Sequence, residues 1–331
     1  MVKVFPIVDT FGSWYPKNSF EVFKRHTQRI QFVDSPRQAD AIWIMSYYMS
    51  TKCLQYPRLL GKLMRFLPEK RISSHLQDKY IMASFHHLTP WKVASFRKKL
   101  SNLTKITSEI HFFSEKNLSD LSHYFEQSNK IFLPYWIDEK QFFEIQEKDK
   151  IRKKLNLPED KILIGSFQRD TEVDLTTPKF EKGPDLFCEV VSYLDSTKYA
   201  VVLAGPRRNY IQKRLNEMNV NTFHLGNVPY QEMNDLYNAI DLYLVSSRVE
   251  GGPQALIEAP LAGTAVFSTD VGIARDICPD ETSNDSKILA SKIQDADLFA
   301  IVTKQRAKCL EQYAVKKVVN QYEEHFMKSI S

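Results

Sequence analysis

What most constrains this chain is an alternation along its first half. Short apolar runs at 2–8, 41–46, 79–84, 109–113 and 130–133 are rich in Ile, Val and Phe. Amphipathic stretches near 18–29, 55–67, 91–101 and 115–126 separate them. The runs are too uniformly apolar for strands with one face in water, so they predict a parallel sheet covered by helices on both faces. The composition turns polar over 138–160, and there we place a domain boundary. A second series opens at Lys161-Ile162-Leu163-Ile164-Gly165-Ser166-Phe167. It predicts further strands at 199–204, 222–225, 241–245 and 265–268, and helices near 184–194, 208–218, 230–239 and 253–262. From 295 to 329 the pattern is helical with charged faces. The expectation is therefore two β–α domains, 1–150 and 151–312, followed by a tail at 313–331. Tandem domains of this kind would place a ligand cleft between the carboxyl ends of two sheets.

Composition narrows the function classes. With 331 residues, 43% hydrophobic and 26% charged, the chain can bury a sizeable core and is not wholly disordered. No apolar run approaches the length of a transmembrane helix. The opening Met1-Val2-Lys3-Val4-Phe5-Pro6-Ile7 reads as a first core strand rather than a signal peptide. Cys53, Cys188, Cys278 and Cys309 are scattered, which suits reduced thiols and argues against a cysteine metal site. A cytoplasmic protein is expected. Residues 1–150 hold 23 basic and 15 acidic side chains, and residues 151–331 hold 22 and 25. The basic first half suits an anionic partner such as phosphate or a membrane surface, or is simply a solvated basic surface. Basic amphipathic stretches at 58–67 and 92–99 leave the same two readings open.

The motif search first excludes. The turn after the first strand, Asp9-Thr10-Phe11-Gly12-Ser13-Trp14, has one glycine where a dinucleotide fold needs three. There is no P-loop, no G-x-S-x-G elbow and no H-E-x-x-H helix. His86 and His87 follow the strand at 79–84, at the end where parallel sheets keep their chemistry. Adjacent imidazoles point apart, so a cleft-lining role for one histidine suits them better than zinc. The densest signal is Ser246-Ser247-Arg248-Val249-Glu250-Gly251-Gly252-Pro253-Gln254-Ala255-Leu256-Ile257-Glu258-Ala259, directly after the strand at 241–245. Gly251 and Gly252 allow close backbone approach, and Pro253 suits a first helical position. The start of that helix is then a seat for a diphosphate. Glu258 is placed to accept the hydroxyls of a ribose, and Glu250 those of whatever hangs from the phosphate.

Glu250 and Glu258, spaced as E-x7-E, resemble the signature of retaining GT-B glycosyltransferases, most closely glycosyltransferase family 4. Leu133-Pro134-Tyr135-Trp136-Ile137-Asp138 with Phe142, Leu155-Asn156-Leu157-Pro158, Leu203-Ala204-Gly205-Pro206 and Ala262-Gly263 are similar to family segments in the same order. The resemblance is strong over about 130–280 and weak but collinear over 1–130. It implies two Rossmann-like domains, the first for the acceptor and the second for a nucleotide-sugar donor, with the terminal helix packing back on the first.

The resemblance also implies roles. Arg169 and Lys182 would neutralise the leaving diphosphate, so no metal or other cofactor is expected. Thirteen positions separate the two cations, which reads 170–180 as an inserted loop and makes Lys179 a rival for the lysine. His86, with His87 as the near match, would stand beside the transferring sugar, and Gly12 near the donor phosphate. Two departures stand out. Thr264-Ala265 follows Ala262-Gly263 where the family has a proline, and Pro260 should end or kink its helix. The implied activity moves a sugar from a UDP- or GDP-linked donor to a hydroxyl acceptor with retention. A glycan or lipid-linked acceptor at an anionic membrane surface, and no nucleic acid, complete the expectation. A GT-B epimerase, a phosphorylase and a non-catalytic GT-B subunit are the alternatives.

Overall fold

The computed structural model describes residues 1–8, 14–45 and 78–331. The chain divides into two compact units, one of residues 1–137 with 313–331 and the other of residues 138–312. The division falls within the polar stretch, ahead of residue 150.

The first unit is a six-stranded parallel sheet. Its strands are β1 Val2–Ile7, β2 Ile30–Phe32, β3 Ala41–Ile44, β4 Tyr80–Phe85, β5 Glu109–Phe112 and β6 Asn129–Phe132, in the order β2-β1-β3-β4-β5-β6. Every pairing is parallel. All four residues of β3 are buried, as a strand covered on both faces must be. One face packs Phe5, Ile42, Ile81, Phe85, Ile110 and Phe112. Elsewhere in the unit, Trp43 meets Phe23, Tyr322 and Phe326 at ring distances of 5.2, 5.3 and 5.7 Å. The short edge strand β2 escapes the sequence pattern because Ile30-Gln31-Phe32 runs straight on from the amphipathic stretch at 18–29. The helix expected at 55–67 lies outside the described residues.

The second unit is a five-stranded parallel sheet. It comprises β7 Ile162–Ser166, β8 Tyr199–Leu203, β9 Thr222–His224, β10 Leu242–Val245 and β11 Ala265–Ser268, ordered β11-β10-β7-β8-β9. Its core includes Ile164, Phe187, Val201, Leu203, Leu244 and Phe267. Both sheets follow the β–α alternation read from the sequence.

Two local breaks have physical causes. The helical pattern over 295–329 is two helices, Leu298–Tyr313 and Val315–Ile330. Between them Ala314 is extended, and Ile137 donates to Tyr313 O and accepts from Val315 N, both at 3.0 Å. Pro260 lies near the end of the helix Ala255–Leu261, which stops one residue later. A proline there leaves the carbonyl of Leu256 without its helical donor. The buried Cys309 thiol fills that place, its Sγ 3.7 Å from Leu256 O.

Candidate donor site

The site is built at the carboxyl ends of β7 and β10, which are paired in the sheet. After β7 the chain runs through Phe167, Gln168 and Arg169 into the inserted loop. That loop is a small hairpin with its own fixings. Glu172 N donates to Thr177 O at 2.9 Å, and Asp170 N and Thr171 N donate to Arg207 O at 3.0 and 3.2 Å. Asp174 accepts from the backbone amides of Thr176 and Thr177, and hydrogen bonding from Thr177 lowers its pKa to about 2. Beneath it Arg208 is fully buried, its Nη2 donating to Ser166 Oγ at 2.9 Å and its Nε 3.5 Å from Asp170 Oδ2.

The loop returns through Phe180-Glu181-Lys182 to Gly183 and the helix Pro184–Ser192. Gly183 has φ +57°, and a Cβ on it would lie 1.8 Å from the carbonyl oxygen of Ser246. Only glycine allows this approach, which brings the Lys182 turn against the segment leaving β10. There Ser246 Oγ donates to Lys182 O at 3.2 Å, and Gln168 Nε2 donates to the same carbonyl at 3.1 Å. Lys182 Nζ forms an ion pair with Glu250 Oε1, to which Ser247 Oγ also donates at 3.0 Å. Lys182, Glu250, Ser247 and Gln168 thus form one polar cluster.

Gly251 and Gly252 are buried against Gly272, whose Cβ, were it present, would sit 2.7 Å from Gly252 N. Pro253 precedes the helix instead of opening it, and its carbonyl accepts from Leu256 N at 3.0 Å. Inside the helix Glu258 is 1% exposed. Its Oε2 accepts from Tyr237 Oη at 2.8 Å and its Oε1 from Tyr230 Oη at 3.4 Å. Burial raises its pKa to about 7, against the lowering effect of the two phenols.

Arg169 is exposed and makes no ion pair among the described residues. Lys179, the rival lysine, pairs with Glu181 at 3.1 Å rather than with Glu250. Gly12 lies outside the described residues. His86 belongs to the first unit, stacked on Phe113 at 4.6 Å. Its Nε2 donates to Met45 O at 2.9 Å, so its Nδ1 accepts from Tyr135 Oη at 3.2 Å. Burial lowers its pKa to about 4, and the ring is neutral at physiological pH. His87 is partly buried beside it.

Sequence reasoning missed Gln168, Tyr230 and Tyr237, and gave Ser247 no role beyond its place in the motif. The two tyrosines stand seven apart before β10, a spacing that puts them on one helical face, and that was their available signal. Nothing in the pattern singled out Gln168.

The chain resembles known proteins over this region. Residues 147–300, which carry Arg169, Lys182, Glu250 and Glu258, match the family described as glycosyl transferases group 1. TuaC of Bacillus subtilis (strain 168), named as a teichuronic acid biosynthesis glycosyltransferase, is 28% identical over 195 residues. That match takes in 57% of this chain and only 44% of TuaC. Among solved structures, Anabaena Alr3699/HepE in complex with UDP and glucose superposes with a TM-score of 0.72 at 12% identity, over 99% of both chains. Sucrose-phosphate synthase from Thermosynechococcus elongatus gives 0.69 at 14% identity, over 98% of both. The fold is that of the GT-B glycosyltransferases, two Rossmann-like α/β domains, and the match to the group 1 family covers residues 147–300.

Proposed function

We propose that this chain transfers a sugar from a nucleoside-diphosphate donor, a UDP-sugar foremost, to a hydroxyl acceptor with retention of anomeric configuration. The observation that carries this reading is the contact of Lys182 with Glu250 at the ends of β7 and β10, with Glu258 buried in the following helix. A cation paired with a carboxylate, in a strand-end cluster lined by Ser247 and Gln168, suits a ligand with both phosphate charge and hydroxyl donors. Lys182 takes the diphosphate and Arg169, exposed and in no ion pair among the described residues, joins it. Glu250, released from Lys182, accepts from sugar hydroxyls. Glu258 accepts from the ribose, where its loosely held Oε1 exchanges the 3.4 Å tyrosine contact for a hydroxyl.

The chemistry then needs no nucleophile from the protein. The acceptor oxygen bonds to the anomeric carbon on the face from which the diphosphate leaves. The bond from that carbon to the diphosphate oxygen breaks, and the acceptor proton passes to the departing phosphate. Lys182 and Arg169 stabilise the charge that develops there, which removes the need for a divalent metal. His86 is proposed to orient the sugar as a neutral imidazole. The acceptor is proposed to be a glycan or lipid-linked hydroxyl, and the basic first half to favour an anionic membrane face. No helix among the described residues is long and apolar enough to cross a membrane.

Thermal denaturation against UDP, GDP, dTDP and ADP, with EDTA present, tests the donor class. A ligand at 100 times its dissociation constant adds about 2.7 kcal/mol, a readable shift. We expect UDP to stabilise the protein despite EDTA. A shift that appears only with added magnesium would contradict the metal-free mechanism. An inverted anomer in the product, read by proton NMR, would contradict retention. Product formed from the sugar nucleotide with no acceptor would favour an epimerase.

A further inference from the structure

Two segments meet at the donor site, the turn 179–185 carrying Lys182 and the loop 246–250 carrying Glu250. Their backbones touch at Arg248 N and Val249 N, which donate to Glu181 O at 2.9 and 3.2 Å. A side-chain pair crosses the same seam. Arg248 Nη1 and Nη2 donate to Asp185 Oδ1 and Oδ2 at 2.7 and 2.6 Å, and Nη1 also donates to Phe180 O at 3.2 Å. This is a fork-to-fork arrangement in which both carboxylate oxygens and both terminal guanidinium nitrogens are used. Each side chain remains about a third exposed, so the pair does little for overall stability. Its geometric effect is larger than its energy, because a bidentate pair fixes distance and angle together.

We propose that Arg248 and Asp185 form a positioning clamp for the donor site, holding the Lys182 turn against the Glu250 loop. The pair touches neither Lys182 Nζ nor the carboxylate of Glu250 in the contacts above. It acts on both through the main chain, two residues from the Lys182 turn's glycine on one side and two from Glu250 on the other. The inference rests on the donor-site reading, and it adds that the lysine and the carboxylate are set as a unit and do not adjust separately.

Three variants test it: Arg248→Lys, Asp185→Asn and the reversed pair Arg248→Asp with Asp185→Arg. Two readouts are needed, amide hydrogen exchange over 179–185 and 246–250 without nucleotide, and UDP affinity by calorimetry. Lysine keeps the charge but loses the fork, so Arg248→Lys should speed exchange in both segments and weaken UDP. A displacement of this kind typically costs roughly tenfold to a hundredfold, and we expect that loss for both single variants. The reversed pair should recover slow exchange and most of the affinity. Wild-type exchange in the single variants would overturn the clamp. If the reversed pair restores exchange but not affinity, Arg248 meets the diphosphate itself and the positioning role fails. Faster exchange in the singles, with no nucleoside diphosphate bound even by the wild type, would contradict the donor-site reading and leave only a structural brace.

Discussion

The two sheets are built alike but finish differently. Both are parallel with buried strands, yet near the carboxyl ends of β4 and β5 the first unit has a neutral hydrogen-bond chain, whereas the second unit sets opposed charges beyond the ends of β7 and β10. In the first, Trp43 Nε1 donates to Ser84 Oγ, Ser84 Oγ donates to His111 Nδ1, and His111 Nε2 donates to Leu133 O, at 2.8, 2.8 and 2.9 Å. Burial lowers the His111 pKa to about 3, so this chain carries no charge. His86 is satisfied in the same manner by Met45 O and Tyr135. In the second unit Lys182 faces Glu250, Arg248 faces Asp185, and Glu258 is a buried carboxyl near neutrality. Closed neutral networks rigidify a scaffold, whereas paired charges can exchange their partners for a charged ligand. The contrast is why we propose nucleotide binding for the second unit.

The sharpest break of that contrast is Lys182→Ala. It should cost transfer activity about a hundredfold to a thousandfold, the loss seen when a donor to developing charge is removed. The melting temperature should stay close to that of the wild type. Next comes His111→Ala, which takes the acceptor from the Ser84 hydroxyl and one donor from Leu133 O and opens a void. Unfolding free energy should fall by about 3 kcal/mol, with the UDP affinity unchanged. A loss of affinity as large as that of Lys182→Ala would erase the division of labour.

Glu258→Gln sharpens the comparison through pH. The folded pKa near 7 lies above the ordinary carboxylate value, so the unfolded chain loses this proton first. Stability contributed by the neutral form is therefore lost as pH rises from about 4.5 through 7. Glu258→Gln should stabilise the free protein more at pH 8 than at pH 5, by on the order of 2 kcal/mol. It should also weaken UDP-glucose at pH 8 and flatten a wild-type affinity that falls below pH 7. The smallest effect belongs to Glu323 in the first unit. Its pKa is lowered by the Arg29 and Gln28 amides and the Thr27 hydroxyl, which outweigh its burial. Its contribution is present above the ordinary carboxylate pKa and is lost as pH falls through the depressed folded value. Glu323→Gln should cost about 1 kcal/mol at pH 7, and that difference from the wild type should vanish in acid titrations followed by circular dichroism.

Much of the fold was legible because fully buried parallel strands such as Tyr199–Leu203 write themselves as short β-branched runs. The edge strand Ile30–Phe32 was not, since it runs straight on from the amphipathic stretch at 18–29 with no break in composition. The break at Ala314 was hidden for a different reason: it is made by Ile137, far away in sequence. At the site, Glu250 and Glu258 drew notice through their spacing to each other and to Gly251 and Gly252, and Lys182 only through the family resemblance. The partners that tune them were not. Tyr237 on Glu258 and Asp185 on Arg248 are relations across elements, and one chain read alone does not reveal which residues meet. The same holds for the occupied ring nitrogens of His86.

We propose that the second unit seats a nucleoside diphosphate through Lys182. Calorimetric titration of UDP into the wild type and into Lys182→Ala, both with EDTA, tests it most directly. The account predicts saturable binding of one UDP per chain in the wild type and its loss, or a weakening of at least about a hundredfold, in the variant. Equal binding by the two proteins would contradict it.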